Sequence, residues 1–102
     1  MTFGLKDSTI ERIRGVFANH PEVEKAVLYG SRAKGTYKNG SDIDLTLHGD
    51  GLTLQTMNSI ANEIDDLMLP YMFDLSIYSD IKDPDMLEHI ERVGVVFYER
   101  TD

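Results

Sequence analysis

From residue 42 to residue 48 the chain reads Asp-Ile-Asp-Leu-Thr-Leu-His, with polar and apolar side chains in strict alternation. Successive side chains of a β-strand point to opposite faces, so the run can turn one apolar face inward as an extended strand. Ile43, Leu45 and Leu47 then share the core face, and Asp42, Asp44, Thr46 and His48 the other. The pattern returns from Met72 to Tyr78, where Phe73, Leu75 and Ile77 are apolar together and Asp74, Ser76 and Tyr78 lie opposite. If the two strands are neighbours in register, their apolar sides form a floor for helices. Asp42, Asp44 and Asp74 then converge on the open side.

The rest of the chain alternates helix and strand around this pair. Ser8-Thr9-Ile10-Glu11 has the form of a capping box, and Ile10, Ile13 and Phe17 follow on one helical face until Asn19-His20-Pro21 stops the run. Val23 to Tyr29 reads as a strand ending at Gly30. From Thr53 to Met68 the residues Met57, Ile60, Ala61, Ile64, Leu67 and Met68 make one amphipathic stripe, closed by Pro70. Pro84 to Val93 gives a last helix with Met86, Leu87 and Ile90 inward, and Val95 to Tyr98 a final short strand. Met57, Met68, Met72 and Met86 all fall at core spacing, which points to packing. The sum is a small α/β (α+β) sandwich, a single domain over residues 1–102 with a mixed sheet and helices mainly on one face.

Charge narrows the function. With 18 acidic against 10 basic residues the formal net charge is -8, which repels polyphosphate backbones and argues against direct nucleic-acid binding. No apolar run is long enough to cross a bilayer, and the first residues do not resemble a signal peptide, so a soluble, cytoplasmic protein is expected. The absence of cysteine removes disulfides, thiolate metal sites and thiol nucleophiles. Against this acidic background, the only charged residues from Arg32 to Ser41 are Arg32, Lys34 and Lys38.

A basic loop directly before paired aspartates suits a metal-bridged phosphate ligand. Carboxylates gathered on one sheet face repel one another unless cations sit between them. Magnesium suits them because it is hard and oxygen-seeking, and is usually held by one or two carboxylates with substrate phosphates completing the shell. Gly30 ends a strand without a side chain, so a phosphate can approach the backbone, Ser31 can cap a helical turn through Arg32 and Ala33, and Asn39-Gly40 turns the chain back to the aspartates. Lys34 and Lys38 add positive charge. Arg32 is assigned to the phosphates too, although a role in solvating the loop fits it equally. His20, His48 and His89 read as structural or exposed, though His48 shares the carboxylate face.

Gly30-Ser31, ten intervening residues, then Asp42-Ile43-Asp44 resembles the G-S-x10-D-x-D signature of the polymerase-β-like nucleotidyltransferase superfamily. Asp74 in the run YMFDLSIY looks like its third carboxylate. In length and order the chain is similar to the minimal nucleotidyltransferases, which are paired as antitoxins with small helical HEPN-domain toxins. The resemblance implies transfer of AMP from ATP to an acceptor hydroxyl, in the paired systems a tyrosine of the toxin. It also implies that Asp42 and Asp44 hold two Mg2+ ions, that Asp74 holds one of them and accepts the hydroxyl proton, and that Ser31 binds a terminal phosphate. Lys34 stands where the family often has arginine, a point charge replacing a bidentate fork. Two other readings stay open: a module that neutralises a partner by contact alone, and an enzyme that modifies an antibiotic hydroxyl. Because only Glu99 to Asp102 follow the last strand, a partner is expected to help complete the pocket.

Overall fold

The computed structural model describes residues 2–101. The chain opens on a tight turn in which Thr2 and Leu5 exchange backbone hydrogen bonds of 3.1 and 2.9 Å. This turn buries Leu5 completely. It also fixes where the first helix, α1 (Asp7–Ala18), begins. The expected cap at Ser8 is therefore corrected: Lys6 holds the cap position with no side-chain bond, and its carbonyl accepts the Ile10 N–H at 3.1 Å. Asp7 then places a negative charge in the first turn, where the helix dipole favours it.

Four strands follow in one mixed sheet: β1 (Lys25–Tyr29), β2 (Ile43–His48), β3 (Phe73–Ile77) and β4 (Val95–Glu99). They lie in the order β3-β2-β1-β4, with β2 and β3 parallel and β1 antiparallel to both β2 and β4. The parallel pair needs a crossover, which α3 (Leu54–Asp66) supplies. Thr53 caps α3 by accepting the Thr56 N–H.

Parity sorts the layers as the alternation predicts. Ile43, Leu45 and Leu47 are fully buried, and they pack with Ala26 and Leu28 of β1 against Ile10, Ile13 and Phe17 of α1 and Met57, Ile60 and Ile64 of α3. The last helix, α4 (Pro84–Val93), lies on the opposite side of the sheet, where Ile90 packs against Val27 and Tyr29. Met86 on that helix is 37% exposed, so Ile90 anchors the face that Met86 and Leu87 were expected to share with it.

The methionines depart further from expectation. Among the described methionines only Met57 is in the core. Met68 is 86% exposed and Met72 71% exposed. The stripe fails at Met68 because α3 ends two residues earlier and Met68 takes a left-handed backbone, φ 57°, which swings it off the helical face. No helix among the described residues is long and apolar enough to cross a membrane.

Candidate active site

The open side of the sheet is built by the same parity that buries the other. In the parallel pair, Asp44 of β2 stands in register with Asp74 of β3, as Ile43 does with Phe73 and Thr46 with Ser76. Ile43 N–H donates to the Met72 carbonyl at 2.9 Å and starts this pairing. Asp42 lies one residue before β2 and is exposed, as is Asp74, while Asp44 is half-buried. On the other side of β2, Asp44 is opposite Tyr29.

The electrostatics report the crowding. The Asp44 carboxyl is pushed above its ordinary range by burial first, then by the Asp74 and Asp42 carboxylates, with His89 opposing. The Tyr29 phenol is raised as well, by burial and Asp74, with the Ser76 hydroxyl opposing and Asp44 adding a smaller push. Three carboxylates thus share one field. Among the described residues no three His, Asp or Glu side chains form a group that could hold a metal ion by themselves. A magnesium shell is normally completed by water and substrate phosphate oxygens. All three are hard oxygen donors that gain from a shared cation.

Gly30 shapes the bend above Asp44. It holds φ 76° and ψ -157°, a backbone region that is essentially glycine's alone. A Cβ there would overlap the Asp44 carboxylate. The space freed by the missing side chain is taken by the aspartate. The Gly30 N–H donates to His89 Nε2 at 3.3 Å. Ser31 opens the short helix α2 (Ser31–Lys34), and Gly30, not Ser31, occupies the cap position. The Ser31 hydroxyl carries no hydrogen bond among the described residues, and the first backbone bond of the turn runs from Lys34 N–H to the Gly30 carbonyl at 3.1 Å. The amides that open such a turn have no intrahelical acceptor.

Of the loop cations, Lys34 and Lys38 are exposed and form no ion pair among the described residues. Arg32 is different, and its assignment to phosphate is corrected. Its side chain is 3% exposed. Nε and one terminal nitrogen donate to the Ser41 carbonyl at 3.0 and 2.8 Å, and the other terminal nitrogen donates to the Phe3 carbonyl at 2.9 Å. The guanidinium lies 4.9 Å from the Tyr71 ring centroid and 5.5 Å from that of Tyr37. It is thus a clamp that fixes Ser41, the residue before Asp42. The loop's return is completed by Ser41 N–H to the Lys38 carbonyl at 3.0 Å, with Gly40 at φ 82° as the predicted turn requires.

His89 is the site neighbour that sequence reading left aside. The available signal was its place next to the inward Ile90 on a helix now found over the site face. His48, by contrast, stacks on Tyr78 with ring centroids 4.4 Å apart at the far end of β2, a packing role.

The comparisons with known proteins agree with this arrangement. The sequence profile described as "Polymerase beta, Nucleotidyltransferase" matches residues 11–102. No curated protein matches. Among solved structures, a toxin-antitoxin complex with AMP-PNP contains a chain 18% identical with a TM-score of 0.70, the match covering 95% of this chain and 76% of that one. A re-refined structure of the tri-AMPylated Shewanella oneidensis HEPN toxin in complex with MNT antitoxin matches at 14% identity and TM-score 0.67, covering 94% and 74%. A Sulfolobus solfataricus protein solved at 1.40 Å matches at 20% identity and TM-score 0.55, covering 95% and 92%. At such identities the structural likenesses establish the fold, and the profile over nearly the whole chain establishes the family: this chain belongs to the polymerase-beta nucleotidyltransferases.

Proposed function

We propose that this protein transfers AMP from ATP to a hydroxyl, a tyrosine in the first instance, of a HEPN-domain partner protein, and thereby acts as an antitoxin. The observation that carries the reading is the register of Asp44 with Asp74 beside the Gly30-Ser31 bend. The toxin-antitoxin complexes among its structural neighbours, one with AMP-PNP and one tri-AMPylated, support the choice of nucleotide and partner.

In this reading Asp42, Asp44 and Asp74 hold magnesium, and Ser31 and the exposed Lys34 bind the outer phosphates. Bound there, two divalent ions would neutralise phosphate charge and stabilise the attacking and leaving oxygens of an in-line displacement. Asp74, the exposed member of the in-register pair, accepts the proton of the attacking hydroxyl. The hydroxyl oxygen bonds to the α-phosphorus as the bond from that phosphorus to the bridging oxygen breaks, and pyrophosphate leaves. Asp44, half-buried and crowded, serves as a ligand because a cation would offset both the burial and the carboxylate repulsion that raise its pKa.

The test is intact-mass measurement of a HEPN-domain partner co-expressed with the wild type or with the Asp42→Asn, Asp44→Asn double variant. AMP-sized adducts with the wild type, absent with the variant, are expected. A partner that is bound and inhibited yet unmodified would replace this reading with neutralisation by contact.

A further inference from the structure

Helix α4 carries one side chain that the scheme above leaves without a part. His89 is half-buried and precedes Ile90, the residue that seats α4 on Val27 and Tyr29. Its ring meets Tyr29 edge-on, with centroids 6.1 Å apart and planes at 83°. Its Nε2 accepts the Gly30 N–H at 3.3 Å, which requires a neutral ring with the proton on Nδ1. Gly30 holds a backbone conformation open to glycine alone, and the Asp44 carboxylate fills the place of its missing side chain. Among the described residues, His89 gives this peptide its one side-chain hydrogen bond.

We propose that His89 is a positioning residue of the nucleotide site. Acting through the Gly30 amide, it fixes the peptide that forms the bend, and with it the seat of the Asp44 carboxylate and the start of the helical turn at Ser31. The inference rests on the nucleotide-site reading above, but the contact itself can be measured without nucleotide.

Three variants separate positioning from packing. His89→Gln keeps an acceptor for the Gly30 amide, His89→Phe keeps a ring against Tyr29 but no acceptor, and His89→Ala keeps neither. The readouts are hydrogen exchange of the Gly30 amide in the free protein and calorimetric binding of Mg-ATP. Phe and Ala are expected to lose Gly30 protection and to bind Mg-ATP about three- to ten-fold more weakly, the scale of one hydrogen bond, with Gln within about two-fold of wild type. A packing role predicts the reverse order, with Phe retaining affinity and Gln losing it, and that order would overturn the proposal. Unchanged Gly30 exchange in both Phe and Ala would overturn it without reference to nucleotide, and Ala alone decides this if Phe does not fold. A wild type that protects Gly30 yet does not bind Mg-ATP would instead remove the nucleotide-site reading, and the positioning role with it.

Discussion

Arg32 shows how one side chain can carry a site without touching its ligand. Its three hydrogen bonds to the Ser41 and Phe3 carbonyls join the turn at the chain start to the residue before Asp42. Removing the guanidinium leaves part-buried carbonyls without donors, and hydrogen bonds involving charged groups are among the strong ones. Arg32→Ala is expected to lower stability by about 2–4 kcal/mol in urea unfolding. Arg32→Lys should recover little of this, because an ammonium cannot reproduce a planar fork lying between two tyrosine rings. A lysine variant as stable as wild type would mean that charge alone suffices. Nothing local in Ser31-Arg32-Ala33-Lys34 marked Arg32 as buried and Lys34 as exposed. The partners that decide it lie at Phe3, Ser41 and Tyr71, remote from the helical turn itself.

The elements are held to one another by few polar ties, so a single one can be isolated. His20, just beyond α1, pairs with Glu63 of α3, and Asn19 donates to the same carboxylate at 3.4 Å. The hydrogen bond from His20 first, then that from Asn19, pulls the Glu63 carboxyl below its ordinary range. A carboxyl lowered in the folded state adds stability that is complete above its unfolded pKa and is lost as pH falls through the folded one. Glu63→Gln should therefore melt below wild type at pH 7, with the gap closing as the buffer is taken to acid below pH ~4. Glu63 is 37% exposed, so solvent screening keeps the gap within about 1 kcal/mol. A gap that persists unchanged into acid would show that the pair acts by shape alone. Element identity was easily read here, since every expected helix and strand forms, whereas ends shifted by one or two residues, as where the strand expected from Val23 starts at Lys25. Thr53 caps α3, but Lys6 displaces Ser8 at α1 because the buried Leu5 sets the entry.

At the scale of the whole molecule, sheet order decides which side chains meet, and exposure follows from it. Met68 and Met72 have periodic spacing yet face outward, 86% and 71% exposed. Replacing both by Ser should leave the melting temperature within about 4 °C, the scale of a surface change in a domain of this size. A larger fall would return them to the core. Alternation alone determined the strands β2 and β3, the buried row Ile43, Leu45 and Leu47, and the face on which Asp42, Asp44 and Asp74 stand, because a period of two admits one assignment of inside and outside. Only the tertiary structure decided that Asp74 is paired with Asp44, that α4 crosses the site face to bring His89 to Gly30, and that Arg32 is a buried clamp. Each of these depends on a register or a contact between residues far apart in sequence, and local spacing encodes neither.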